Sequence, residues 1–356
     1  MRDVDFDQLA CPAPRSRYEH VLMGHGSGGR MTNDLIKQTF LPSLGNEVLA
    51  ALEDQATLNI QAMQGSGTRL ALTTDAFVVR PIFFPGGDIG SLAVHGTVND
   101  LAVGGAQPLY LAAAFILEEG LPICDLERVT RSMRQACDEV GVALVTADTK
   151  VVDRGKGDLI YITTTGIGLV PQSCRLSIHL ARPGDQVLVS GTIGDHGIAI
   201  MSVREGIEFE TVLESDSAPL VSLAQALLQV CPGVRAMRDP TRGGVSSALH
   251  ELAEASRVGI KLAESSIPLK REVRAACEML GLDPLYVASE GKLIAVVADE
   301  EADQALAVMR AHPLGQNAAI IGRVVADHPG MVTIRSSLGG ERIVTMLAGE
   351  QLPRIC

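Results

Sequence analysis

The sequence predicts a two-domain chain of mixed α+β and α/β character that ends in a flexible tail. Its 356 residues suffice for two buried cores. Strand-like and helix-like hydrophobic patterns alternate through two runs, parted by the turn RPGD at 182–185. The last pattern gives way to GEQLPRIC, which carries no periodicity and ends on Cys356. The expected organisation is an arm and glycine-rich loop over 1–44, an α+β unit over 45–172, an α/β unit over 173–346 and a mobile tail over 347–356.

Residues 1–20 read as an irregular arm, because two prolines lie near Cys11 and charges break any apolar pattern. GHGSGGR at 24–30 is a glycine-rich turn before a short helix, MTNDLIKQTFLPSL. In the first unit RLALTTDAFVV (69–79) reads as a strand and IGSLAVHGTVNDLAVGG (89–105) as a helix ending at its glycine pair. PLYLAAAFILE (108–118) is a strand. LERVTRSMRQACDEV (126–140) is a helix with Val129, Met133, Ala136 and Val140 on one apolar face. VALVTADTKVV (142–152) and LIYITTTGIGLV (159–170) are further strands. In the second unit 186–190, 293–299, 318–324 and 331–335 read as strands, and 217–230, 243–256 and 301–311 as helices.

Composition narrows the function. Hydrophobic residues at 46% and charged residues at 20% suit a folded globular chain. A net charge of −12 argues against nucleic acid or an anionic membrane as partner. It leaves room for a phosphate ligand, since metal ions neutralise carboxylates locally. The seven cysteines form no CxxC pair, so neither a zinc nor a disulfide framework is expected, and a reducing compartment fits. The N-terminal MRDVDFDQLACPAPRSR has no apolar core of signal-peptide length, and the longest apolar stretches fall well short of a membrane span. A soluble, cytoplasmic protein is the expectation.

Four acids of the first unit lie beside turns or element ends: Asp54, Asp75, Asp100 and Asp148. Hard oxygen ligands drawn from separate elements are what Mg²⁺ held against a polyphosphate requires. Singly, each is more often a cap or turn residue. As a set, with Asn99 beside Asp100, they point to a metal–nucleotide site. Lys150 follows Asp148 by two positions, so on a strand both share a face. An ordinary ion pair and a cation aimed at a phosphate or oxyanion both fit, and a base role needs nearby negative charge cancelled first.

The backbone N–H groups of Gly26, Ser27, Gly28 and Gly29 could cradle phosphate ahead of a helix. RDPTRGG (238–244) places Asp239, Thr241 and Arg242 before a helix, as a capping turn or as a second-domain wall of a pocket. ASEGK (288–292) presents Glu290 as an exposed turn carboxylate or as a general base in a cleft. His95 and His250 read as ordinary helix residues, and His20 and His25 have no companion ligands.

Cys356 is a stray terminal thiol or a carrier. Pro353 stiffens the arm and extends Leu352. Arg354, two residues away, is expected to favour the thiolate. Prenylation needs the cysteine four residues from the end and is excluded.

HGSGGR, TTDAFVV, VNDLAVGGA, ADTKVV, DPTRGG, ASEGK and the terminal PRIC together resemble the HypE family of hydrogenase maturation proteins, the carbamoyl dehydratases. These belong with the aminoimidazole ribonucleotide synthetase-like ATP-binding proteins. The internal aspartates are shared with relatives such as selenophosphate synthetase and thiamine-phosphate kinase; the terminal motif is the specific one. Glu53–Asp54 departs from the Asp–Asp pair of the family pattern, and the arm to about residue 19 is unexplained by it.

The resemblance implies the two-domain aminoimidazole ribonucleotide synthetase-like fold and a homodimer through the N-terminal sheet. It implies ATP and Mg²⁺ at Asp54, Asp75, Asp100 and Asp148, with Asn99, Asp239 and the glycine-rich turn on the nucleotide side. Lys150 and Glu290 would line the dehydration site, Glu290 as base. A carbamoyltransferase, HypF, would load a carbamoyl group on Cys356. ATP-dependent dehydration would turn it into a thiocyanate, and the cyanide would pass to iron on a HypC–HypD complex. Two other readings remain open: an ATP-dependent enzyme of the same superfamily acting on a diffusible substrate, and a non-enzymatic scaffold. A selenophosphate synthetase would want a Cys–Lys pair near the N-terminus, whereas Cys11 is followed by Pro12 with no Lys near.

Overall fold

The computed structural model describes residues 29–40, 49–54, 56–58, 68–207, 213–347, 349, 352 and 354–356. The N-terminal arm, Cys11, Gly26, Ser27 and Gly28 lie outside them. Helix α1 (Arg30–Leu35) runs into a π turn over Ile36–Phe40. The first unit then holds β1 (Ala56–Leu58), β2 (Thr68–Phe77), the short β3 (Phe83–Phe84) and β4 (Gly87–Asp88), α2 (Ile89–Val103), β5 (Gln107–Glu118), α3 (Ile123–Val140), β6 (Ala143–Val152) and β7 (Ile160–Pro171). Its sheet has the order β1-β2-β7-β5-β6. Only β5 and β6 pair in parallel, as their crossover through α3 requires.

Asp88 starts α2: its carboxylate accepts from the N–H groups of Gly90 and Ser91, while the Ser91 hydroxyl receives the Asp88 N–H. That reciprocal cap fixes the helix N-terminus. All of α2 except Ser91 and Asp100 is buried, because the sheet covers one side and the second unit the other. Helix α3 is the opposite case, with only Val129, Met133, Ala136 and Cys137 buried.

The second unit comprises β8 (Gln186–Val189), α4 (Asp195–Glu205), α5 (Val221–Val230), β9 (Val234–Arg238), α6 (Gly244–Ser256), β10 (Gly259–Ala263), α7 (Arg271–Leu280), β11 (Ile294–Val297), α8 (Ala302–Ala311), β12 (Ala319–Val325), β13 (Val332–Arg335) and β14 (Glu341–Val344). Its sheet runs β14-β13-β10-β12-β8-β11-β9. One apolar core crosses the boundary between units, joining Phe77, Leu92 and Val98 to Leu220, Leu223 and Val287, and then to the tail residues Leu352 and Ile355. Among the described residues no helix is long and apolar enough to cross a membrane.

One expectation changes: Asp75 and Asp148 lie inside β2 and β6 rather than at turns, whereas Asp100 lies at the end of α2 as expected. Of the described tail residues, Leu352, Ile355 and Cys356 are docked against the body. The other face of the first sheet is open. Tyr110, Ile116, Leu144, Val145 and Val151 are exposed there or along the edge strand β6, every residue of which except Val152 is exposed.

Candidate functional site

Asp54, Asp100 and Asp239 converge from a bend, the end of α2 and the residue after β9, with carboxylate oxygens within 4.8 Å of one another. Arg238 pairs with Asp54 at 2.5 Å and with Glu251. The Thr73 hydroxyl donates to Asp100 at 2.7 Å. Burial pushes Asp54 up to about 6 despite the Arg238 cation. Burial, then the charges of Asp54 and Asp75, push Asp239 up to about 7. Burial and the neighbouring aspartates hold Asp100 well above the carboxylate range. Three hard oxygen donors that repel one another this way suit a divalent cation, whose charge would offset theirs.

Beside them is a small chamber lined by Asp75, Phe77, Asp100, Asp239, Arg242, Glu290 and Cys356, among others. The free space is about 30 Å³, room for about one or two waters. Asp75 receives the Thr97 hydroxyl at 3.2 Å, and burial raises its pKa against the pull of Arg242.

Glu290 is 1% exposed, and its Oε1 is buried without a partner. Its backbone is clamped: the N–H donates to Asp216 at 3.0 Å and the C=O accepts from Asn99 at 3.1 Å. Lys292 offsets Asp216 at 3.1 Å. Gly291 is obligatory, since a Cβ there would lie 1.8 Å from the Asp216 carbonyl oxygen. Burial first, then Asp239 and Asp216, raise Glu290 well above the carboxylate range.

The Cys356 thiol donates to Glu290. Burial and the Glu290 charge push its pKa up, outweighing Arg242. The expected thiolate near Arg354 is therefore not found. Arg354 turns away to Asp158 at 2.8 Å, from a left-handed backbone with φ 57°.

The tail is added as a short antiparallel strand. Val79 and Ile355 form a bridge, the Val78 N–H donates to the Cys356 carbonyl at 3.1 Å and the Arg80 N–H to that of Arg354 at 3.0 Å. His196, fully buried in α4, contacts the Ile355 carbonyl through Nε2 at 2.5 Å and the Ser215 hydroxyl through Nδ1 at 2.8 Å. A carbonyl only accepts, so Nε2 carries the proton and Ser215 donates to Nδ1. Burial lowers the His196 pKa and keeps the ring neutral.

Other expected residues are placed differently. Asn99 donates to the carbonyls of Ala218 and Glu290 and accepts from the Leu220 N–H. Its amide is spent joining the two units, which leaves no donor for phosphate; this corrects its assignment as a nucleotide ligand. Lys150 meets Asp148 at 3.7 Å, with both side chains about three-quarters exposed, at 77% and 74%. Cross-strand register aligns Asp75 with Thr164, Ala113 and Ala147, and Asp148 with Ala114, Thr163 and Ala76. The two aspartates thus face opposite sides of the sheet. Within one chain, Asp148 and Lys150 do not join the cluster.

In the sequence RDPTRGG reads as a capping turn or a pocket wall, with no role for Arg242; Lys292 falls within ASEGK without a role of its own, and His196 and Asp216 carry no local signal. A larger cavity of about 460 Å³ adjoins the cluster, sharing Asp54 and Arg238 and lined also by Gly29, Asn33, Lys37 and His179.

Two family models match the chain: the N-terminal domain of AIR synthase related proteins over 52–170 and their C-terminal domain over 182–335. A carbamoyl dehydratase HypE from Cupriavidus necator is 55% identical over 334 residues, 94% of each chain. A crystal structure of a HypE–HypF complex superposes with a TM-score of 0.82 at 47% identity, covering 88% of this chain and 99% of the other. A crystal structure of hydrogenase maturation protein HypE in complex with ATP gives a TM-score of 0.79 at 47% identity, over 95% and 100%.

Proposed function

Because the chain belongs to the HypE family of carbamoyl dehydratases, within the AIR synthase related proteins, we propose that it dehydrates a carbamoyl group carried on its own Cys356, using ATP, to supply cyanide during hydrogenase maturation. The observation that carries this reading is the seating of the terminal thiol in a chamber with Glu290 and Arg242, beside three converging carboxylates.

Oxide is a poor leaving group, so the carbamoyl oxygen attacks the γ-phosphorus of ATP and ADP departs. Cys356–S–C(=O)–NH₂ loses one N–H proton as it becomes the O-phosphoryl imidate. The remaining N–H proton is then removed, the C–O bond breaks, phosphate leaves and Cys356–S–C≡N remains. Glu290 is the base for these protons, being in contact with the sulfur and buried with one oxygen unpartnered. Burial, then the charges of Asp239 and Asp216, raise its pKa, which favours its holding a proton once it has taken one. Asn99 and Asp216 hold its backbone at the sulfur. Asp54, Asp100 and Asp239 would hold Mg²⁺, with Asp75 at the edge of the set. Bound there, it neutralises charge on the transferring phosphoryl group and relieves the repulsion that keeps these acids protonated.

The adjoining cavity has the size of a small-molecule pocket, typically about 300–1,000 Å³, and suits the nucleoside of ATP. Gly29 lines it; Gly26, Ser27 and Gly28 are proposed to bind the phosphates of ATP. Asp148 and Lys150 are proposed to act across a homodimer formed on the open sheet face, since they point away from their own cluster. The carbamoyl donor is proposed to be a HypF protein, the solved partner of a relative, and the cyanide acceptor a HypC–HypD complex in the cytoplasm.

Intact mass tests the reading. The protein incubated with carbamoyltransferase, carbamoyl phosphate and ATP should gain a carbamoyl group and then lose one water. Cys356→Ser should gain neither change. A water loss persisting in that variant contradicts the proposal.

A further inference from the structure

Arg242 lines the thiol chamber, where it faces the carboxylates of Asp75, Asp100, Asp239 and Glu290 and the sulfur of Cys356. The other cations around the cleft are committed. Arg238 is held by Asp54 and Glu251, Lys292 by Asp216, Lys270 by Asp195, and both Arg80 and Arg354 by Asp158. None of the ion pairs among the described residues takes up Arg242. It stays exposed at the chamber mouth.

Its position is built. Pro240 and Thr241 lead into a turn closed by the Gly244 N–H on the Thr241 carbonyl at 2.9 Å. Gly243 and Gly244 follow with φ 77° and 60°, a conformation open to glycine at little cost. A Cβ on Gly244 would lie 2.6 Å from the Leu285 carbonyl oxygen. The turn therefore cannot slide, and Arg242 is launched from a fixed point. The groups its charge acts on are, in order, Cys356, Asp75, Glu290 and Asp100. Arg242, the Cys356 sulfur and two acids of the Asp54–Asp100–Asp239 set, Asp100 and Asp239, thus line one chamber.

We propose that Arg242 is a catalytic residue that binds the phosphoryl group in transit between ATP and the carbamoyl oxygen on Cys356, and the phosphate as it leaves. The inference rests on the dehydration reading above. A phosphoryl group passing from a nucleotide held by the acid cluster to an oxygen carried on Cys356 must cross the space Arg242 faces. An uncommitted guanidinium offers two parallel N–H donors to its oxygens, which a lysine ammonium cannot reproduce. The charge Arg242 meets there grows as the P–O bond to ADP breaks, and again as the C–O bond of the imidate breaks. Its stabilisation is therefore larger in the transition states than in the ground state.

The test is single-turnover dehydration of enzymatically carbamoylated protein at saturating Mg–ATP, read by intact mass. Arg242→Ala should load normally, bind ATP within a few-fold of wild type, and dehydrate roughly 10²–10³-fold more slowly. Added guanidinium ion should recover part of the rate. Arg242→Lys should stay at least about tenfold slow, because a point charge does not replace the fork. Rates within a few-fold of wild type in Arg242→Ala would overturn the proposal. So would a defect confined to ATP affinity, with the saturated rate intact. Should wild-type loaded protein itself fail to dehydrate with ATP, the reading beneath falls and carries this inference with it.

Discussion

Asp54 and Asp239 set how the cleft responds to protons. Both start from 3.8 and are raised, to about 6 and about 7. The folded chain therefore binds these protons more tightly than the unfolded one. Their contribution to stability is full below about pH 4 and is lost as pH rises through about 7. Above that, the free protein carries crowded negative charge that a divalent cation offsets. Mg²⁺ should raise Tm more at about pH 8 than at about pH 5, by at least about 2–4 °C. Equal increments at both pH values would contradict the assignment of these acids as ligands. Short motifs bring Asp54, Asp100, Asp239 and Glu290 to notice in the sequence. The environment of Cys356 is not legible there, because its neighbours Glu290, Asp75 and Arg242 are distant along the chain and outweigh the adjacent Arg354.

At the scale of elements, the tail behaves as a strand borrowed by Val78–Arg80 and sealed by Leu352 and Ile355 in the core. Its one ion pair with Asp158, made by the part-exposed Arg354, contributes little, whereas burial of Ile355 contributes more. Ile355→Asp would bury a charge unless the tail lets go. That variant should expose the thiol, and alkylation of Cys356 should run at least about tenfold faster. An unchanged rate would mean that the strand does not shield the sulfur.

Elements with clear edges were readable: α2 ends at its glycine pair, and α3 shows one apolar stripe. Nothing in the sequence marks α4, whose first turns are buried all round with Asp195 and His196 among the buried residues, so no apolar stripe shows. Strands β9 (VRAMR) and β10 (GIKLA) are interrupted by Arg235 and Lys261, so they lack the unbroken apolar run that marks β8 and β11. Helix α7 does carry a readable stripe in Val273, Ala276 and Cys277, capped by Gly281, and the pattern reading passes over it.

For the whole molecule, the open face of the first sheet is the unfinished part. Val145 and Val151, 59% and 66% exposed, lie on an edge strand with unpaired backbone groups, a surface that proteins ordinarily cover. A homodimer closed there would also bring Asp148 and Lys150 against a second chain. Val145→Glu should shift the protein from dimer to monomer in sedimentation without loss of secondary structure. A wild-type monomer would remove those two residues from the site. The two units are held together by shared core and by Asn99, so the tail, the base and the acid cluster meet at one seam. In the proposed reaction this seam turns the carbamoyl oxygen into a leaving phosphate. Loading Cys356 with a carbamoyl group carrying ¹⁸O and adding ATP tests it directly. The label should appear in the inorganic phosphate released. Unlabelled phosphate, with the label in water or retained on the protein, would contradict it.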